Sequence, residues 1–348
     1  MGQPKVEEAD LTSHSPFARP LTDSAPGGVL KVVDLRVYYD TPEGVVKAVD
    51  GVTFSLRRGE RLALVGESGC GKTTLAMALM RLTKEPGHIT GGAIWLDGID
   101  LLDLSEEEMR NTRLSKIALI PQGAMNSLNP VMRVKGQIID GISAHDGSAE
   151  KAEMNSRVAE LLSNVGLSND VAQMYPHELS GGMKQRVAMA IATALAPQVI
   201  VADEPTSALD VVVQRHIMVT LGQLQEGIDA SIILVGHDMG LVAQFAHTVG
   251  VMYAGKLVEL APVGQIFKNP QHPYTRLLIE SLPSLEEKRD FQGIPGLPPP
   301  LIDLPRGCPF ADRCPSVMDV CRVEDPVFHA QGERQFVACH LYPEDVAS

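Results

Sequence analysis

Apolar positions along the chain fall into distinct textures. From about residue 29, "VLKVVDLRVYY" and "VVKAVDGVTFSLRRGE" alternate or cluster β-branched residues, which predicts strands. "RLALVG" is a short apolar run closed by Gly66, followed by a glycine-rich loop and the helical pattern "KTTLAMALMRLT". That succession predicts a strand–loop–helix unit. Over about residues 125 to 196 the period changes: "SAEKAEMNSRVAELLSNVGL" and "MKQRVAMAIATALA" both predict helices. "QVIVADEP" and "SIILVGHD" then read as strands buried on both faces of a parallel sheet, and "TVGVMYAGKLVEL" predicts further short strands.

The ends differ from this middle. Residues 1–28 are polar, without the basic start, apolar stretch and small-residue cleavage site of a secretory signal, and are expected to be a disordered tail. Past residue 265, "GIPGLPPPLIDLP" is too proline-rich for a helix or central strand and predicts an extended connector. The longest apolar run, "VAMAIATALAPQVIVA", is interrupted by Pro197 and Gln198 and is too short to span a bilayer. A cytosolic chain is expected, with any membrane contact made through a partner.

At 348 residues the chain has room for one large domain with an appendage, or for two domains. Its net charge of -13, with no basic run, argues against a general nucleic-acid binder.

Three motifs carry chemistry. "GESGCGKTT", Gly66 to Thr74, fits G-x-x-x-x-G-K-[ST] between a predicted strand and a predicted helix. Its glycines let backbone N–H groups turn toward phosphates, Lys72 would meet the β- and γ-phosphates, and Thr73 offers a hydroxyl to Mg²⁺. A plain glycine turn with a solvated lysine would not need that context. "VIVADEP" delivers Asp203 and Glu204 to a strand end, Asp203 for Mg²⁺ and Glu204 for the attacking water. Alone, such a pair is usually a turn or a helix start; downstream of a P-loop it is far more specific. "LSGGMKQR" places Ser180 as an N-cap with Gly181 and Gly182 exposing amides. It is either a capped helix or a second anion-binding face.

Taken in order, these residues resemble an ATP-binding cassette (ABC) ATPase: Gly66–Thr74, Gln122, Leu179–Met183, Asp203–Glu204, "SALD" ending at Asp210, then His237. The resemblance implies an α/β P-loop NTPase cassette over 29–265, with a RecA-like core, an antiparallel β subdomain and a helical subdomain at about 125–196. It implies ATP and Mg²⁺, with ATP sandwiched between the P-loop of one cassette and the signature of another. By the same likeness Gly66, Ser68, Gly69, Cys70, Gly71, Lys72, Thr73 and Thr74 hold phosphate, and Thr73, Gln122 and Asp203 serve Mg²⁺. Ser180, Gly181, Gly182 and Asp210 face a partner's nucleotide. Glu204, His237, Gln122 and Lys72 are the catalytic set, and Tyr39, with Tyr38 as neighbour, resembles the aromatic that stacks on adenine. Position 183 is Met where Gln is commoner, and Cys70 replaces a frequent Ser; Cys70 is expected to slow the enzyme or to sensitise it to alkylation.

"PQGAMNSLNPVMRV", "LSGGMKQRVAMAIA" and "NPQHPYTRLLIESLP" narrow the resemblance to the oligopeptide/dipeptide importer ATPases, over about Val29 to Tyr342. The "LSGGM" form is similar to the first of the two ATPases such importers carry. The likeness implies ATP-driven peptide import. It also implies a second, heterologous ATPase, two transmembrane permease subunits, an extracytoplasmic binding protein and a place on the cytoplasmic face of the membrane. Oligosaccharide or metal-chelate cargo, a soluble non-transport ABC ATPase, and a redox sensor are the alternatives. The last of these draws on residues 266–348, where Cys308, Cys314, Cys321 and Cys339 follow C-x5-C-x6-C-x17-C. The spacing lacks the C-x2-C pairs of zinc ribbons. Four thiolates suit zinc or a four-iron cluster. The resemblance implies a [4Fe–4S] cluster, with Zn²⁺ the alternative, in a small metal-stabilised C-terminal extension.

Overall fold

A computed structural model of the chain describes residues 28–123, 127–145, 151–207, 209–282, 293–302, 304–332 and 334–342. The expected N-terminal tail lies outside the described residues except for Gly28.

Gly28 opens the first of two long strands, β1 (Gly28–Thr41) and β2 (Gly44–Arg57), which pair antiparallel. β3 (Arg61–Val65) leads through the glycine loop into α1 (Lys72–Leu79). β4 (Gly87–Leu96) and the short β5 (Ile99–Asp100) complete a four-stranded antiparallel sheet in the order β2-β1-β4-β5. α2 (Glu106–Thr112) begins with a capping box, Ser105 and Glu108 each satisfying the other's backbone N–H. β6 (Ile117–Ile120) follows. The helices α3 (Val134–Ser143), α4 (Lys151–Asn164) and α5 (Gly181–Ala192) come next, and α4 and α5 carry the two helical patterns read from the sequence.

The remaining cassette elements alternate: β7 (Val199–Asp203), α6 (Val211–Gly227), β8 (Ser231–Val235), α7 (Met239–Phe245), β9 (Thr248–Tyr253) and β10 (Lys256–Pro262). Every residue of β7, β8 and β9 is buried, as the unalternating apolar runs predict. Successive side chains enter opposite cores. Ile200 and Ala202 join the core that holds the helices α3 to α6, while Val199 and Val201 join the core shared by α1 and the four-stranded sheet.

After α8 (Val263–Lys268) and α9 (Pro273–Glu280) the chain returns to this sheet. A hairpin of β11 (Phe328–Gly332) and β12 (Gln335–Ala338) adds β12 antiparallel to β10, pairing Glu259 with Val337 and Leu260 with Phe336. The main sheet therefore runs β11-β12-β10-β9-β3-β8-β7-β6. The cysteine-bearing tail packs against the cassette instead of around a centre of its own: Phe310 and Tyr274, both buried, belong to the same core as Val251 and Tyr253. The proline-rich connector forms neither helix nor strand at 293–302, and Leu301 accepts a hydrogen bond from the Lys47 N–H at 3.0 Å, on the free edge of β2. No helix among the described residues is long and apolar enough to cross a membrane.

Candidate nucleotide-binding site and cysteine segment

The loop between β3 and α1 needs glycine by geometry. At Gly71, φ is +103° and a Cβ would lie 2.0 Å from the Ala48 carbonyl oxygen; at Gly66 it would lie 2.2 Å from that of Met252. The loop is thus pressed against β2 and the end of β9, where no other residue fits. Ser68, Gly69 and Thr73 face outward. Lys72 is buried, and its Nζ donates to the carbonyls of Gly66 at 2.8 Å and Glu67 at 2.9 Å. An ammonium held over the cradle in this way is placed for phosphate.

Cys70 is 5% exposed, with Sγ 3.5 Å from Lys72 Nζ. Burial raises its pKa, against the lowering effect of Lys72. Burial and the raised pKa both work against attack on this thiol.

At the end of β7, Asp203 is fully buried and accepts the Thr73 hydroxyl on Oδ1 at 3.2 Å. Its Oδ2 is buried with no hydrogen-bond partner among the described residues. Burial first, and then neighbouring Glu204, push the carboxyl's pKa up. A buried carboxylate oxygen with nothing to bind, beside a hydroxyl, is a donor set suited to Mg²⁺.

Glu204 follows with φ +44°, a left-handed backbone rare for a non-glycine residue, and its N–H extends the ladder to the Val235 carbonyl at 2.9 Å. That turn aims its carboxylate off the strand end. Gln122 Nε2 donates to Glu204 Oε2 at 2.9 Å, and His237 Nδ1 lies 3.3 Å from Oε1. Three residues from separate loops after β6, β7 and β8 thus meet at one carboxylate.

The aromatic pair divides across the strand. Tyr38 donates to Asp50 at 2.6 Å, while the Tyr39 ring lies over Gly87, where a Cβ would come within 2.4 Å of it. Ser180 accepts the Met183 N–H at 3.3 Å, capping α5, and Gly182 approaches Val213 too closely for any Cβ, 2.8 Å away. A cleft of about 350 Å³ opens here, lined among others by Ser180, Gly182, Met183, Arg186, Val213 and His216. No P-loop residue lines it. Asp210 caps α6 through the Val212 and Val213 N–H groups.

The fold brings the four tail cysteines into one another's electrostatic reach. Burial above all, and then its three fellow thiols, push Cys308 up to about 12; burial pushes Cys339 up to about 11, with Cys314 and Cys321 adding to it. The Cys308 N–H donates to the Cys321 carbonyl at 2.8 Å. Among the described residues, no three His, Cys, Asp or Glu side chains are arranged to hold a metal ion.

One contact escaped the sequence altogether. Arg313, from the turn Ala311–Arg313 between Cys308 and Cys314, donates to both carboxylate oxygens of Glu67, at 2.7 and 2.9 Å. Glu67 occupies a position that the P-loop pattern leaves free, and Arg313 reads as spacer between cysteines. A second ion pair, Arg334 to buried Glu60, also ties the tail to the cassette.

Comparison with known proteins agrees with this geometry. Residues 49–207 match the ABC transporter family, and residues 258–321 match the oligopeptide/dipeptide transporter C-terminal region. The chain is 43% identical over 316 residues to the dipeptide transport ATP-binding protein DppD of Lactococcus lactis, covering 90% of each. It is 43% identical over 302 residues to the oligopeptide transport ATP-binding protein OppD of Salmonella typhimurium, covering 86% of this chain and 90% of that one. Among solved structures, the ATP-binding cassette MJ0796, as a dimer in a post-hydrolysis state with ADP and Pi, superposes with a TM-score of 0.61. It is 29% identical and covers 67% of this chain and 98% of its own.

Proposed function

The chain belongs to the ABC transporter family, in its oligopeptide/dipeptide branch, and from that premise we propose that it is the ATP-hydrolysing subunit of a peptide importer. The observation that carries the reading is the meeting of Gln122 and His237 at Glu204, beside the Thr73–Asp203 pair. In this reading Lys72 and the loop amides of Gly69, Gly71 and Thr74 hold the β- and γ-phosphates. Asp203, Thr73 and Gln122 hold Mg²⁺, which neutralises phosphate charge when bound. Glu204 orients a water for attack on the γ-phosphorus and accepts its proton; the bond to the ADP oxygen breaks and phosphate departs. His237 keeps Glu204 oriented from its other oxygen.

The cleft at Ser180–Gly182 lacks a P-loop, so a complete site needs a second cassette to supply one. We assign that role to a heterologous ATPase, with two permease subunits and an extracytoplasmic binding protein completing an importer at the cytoplasmic face of the membrane. Tyr39 is assigned to adenine, and Gly181 and Asp210 to the partner-facing side. The cassette is assigned to 29–265 and the extension to 266–348.

For the four cysteines we favour a [4Fe–4S] cluster. Their chemistry fits: four buried or half-buried thiols act on one another and share no disulfide. Zn²⁺, which four thiolates would hold at about 2.3 Å, is the alternative. The cluster would tie Cys308, Cys314, Cys321 and Cys339 together.

The test is peptide uptake by the reconstituted importer. Glu204→Gln keeps an amide oxygen where the carboxylate stood and is expected to lower kcat by about 10²–10⁴-fold, with ATP still bound and uptake lost. Uptake that persists without hydrolysis, or hydrolysis that membrane subunits and peptide leave unaltered, refutes the proposal.

A further inference from the structure

The P-loop is braced from the cysteine segment, and its brace carries charge. Glu67 is engaged at every polar group it has. Its N–H donates to the hydroxyl of buried Tyr274 at 2.9 Å, and its carbonyl accepts Lys72 Nζ at 2.9 Å. Its carboxylate takes the two-pronged contact of Arg313. The Arg313 side chain is only 6% exposed. It also donates to the Pro295 carbonyl at 2.8 Å and the Tyr253 hydroxyl at 3.2 Å, and it lies against the rings of Tyr253 and Phe310. The guanidinium is therefore fixed by the tail and presented to the loop.

A carboxylate on a phosphate-binding loop is a liability. Left uncompensated it would repel the ligand and draw on Lys72, whose ammonium donates to the Glu67 main-chain carbonyl close by. A forked, nearly buried guanidinium cancels that charge and fixes the side chain away from the cradle, which a flexible lysine would do poorly. The turn that carries Arg313 is hydrogen-bonded directly to a cysteine: Ala311 N–H donates to the Cys308 carbonyl at 3.0 Å, and Cys314 N–H to the Ala311 carbonyl at 3.3 Å.

We propose that Arg313 is a positioning residue for ATP: it neutralises Glu67 and holds the P-loop from the cysteine segment, making that segment part of the nucleotide site. The inference rests on the P-loop being the ATP site. It assigns the tail a task in nucleotide affinity that the cassette motifs leave open. It also predicts that loosening the Cys308–Cys314 turn weakens ATP binding.

The test uses the full-length protein and a fluorescent ATP analogue with Mg²⁺. Arg313→Ala is expected to raise Kd and KM by about tenfold, the middle of the range for coupled neighbouring charges, with kcat little changed. Glu67→Gln in the same chain removes the uncompensated charge and is expected to restore affinity, which a merely structural loss would not allow. An unchanged Kd in Arg313→Ala, or a double variant no better than the single, overturns the proposal. Should Arg313→Ala not fold, Arg313→Lys carries the test, and wild-type affinity in that variant overturns it equally. Lys72→Ala separates the two readings. If it binds ATP normally, the site assignment falls; if it loses ATP while Arg313→Ala does not, only the role of Arg313 falls.

Discussion

Phe310→Ala tests whether the tail and the cassette share one core. Phe310 is 1% exposed and its ring meets Tyr253 edge-on at 5.2 Å, Tyr274 at 5.4 Å and His272 at 5.8 Å. Burying such a ring contributes about 2–3 kcal/mol in transfer alone. The cavity left among other rigid rings adds to that, so the whole loss is about 3–5 kcal/mol. Against a total stability of about 5–15 kcal/mol this is a large fraction. At about 2 °C per kcal/mol for a chain of this size or larger, the melting temperature should fall by about 6–10 °C. Scanning calorimetry and near-ultraviolet dichroism of the purified full chain measure it. Val323→Ala, in the same segment but at a residue 65% exposed, is the control and should change stability by no more than about 0.5 kcal/mol. If the core is shared, the main transition moves as one. A loss under about 1 kcal/mol, or a separate early transition with the cassette's melting untouched, refutes the reasoning.

Two further outcomes are expected. Burial chiefly, with Arg276 adding to it, lowers the pKa of His272 to about 3, so this neutral cap of α9 resists protonation while the unfolded chain protonates near 6.5. The unfolded state then binds the extra proton, so stability falls with pH below 6.5. In urea titrations His272→Asn should gain on wild type by up to about 1.4 kcal/mol per pH unit between pH 6 and 5, and a constant difference contradicts this. Anaerobically purified protein should show a broad visible absorption and about four irons per chain, both lost in Cys321→Ser; stoichiometric zinc in place of iron refutes the cluster assignment.

Much of the site was legible because its parts are local. "RLALVG" ahead of the glycine loop, and "VIVADE" as an apolar run ending in acids, are contiguous patterns whose physics is fixed within about ten residues. Gln122 and His237 were legible only through likeness, since nothing in their immediate surroundings distinguishes a loop glutamine from any other. What escaped was long-range. Arg313 and Glu67 stand 246 positions apart, and β12 finds β10 across most of the tail. No period links such positions. The burial of Cys70 was equally hidden, because the P-loop pattern specifies spacing and not what β2 and the end of β9 press against it.

The hairpin β11–β12 has a consequence for where this protein can be cut. β10 is buried nearly throughout and is bordered by β9 on one side and β12 on the other. A chain shortened to its cassette would leave that flank of β10, rich in Leu257, Val258 and Leu260, with unpaired N–H and C=O groups. The connector's contact at Lys47 would go as well, freeing the edge of β2. Open apolar edges recruit other strands. The tail thus acts as a selvedge for both sheets, and a minimal cassette made from this sequence would be prone to stack edge to edge with its own copies.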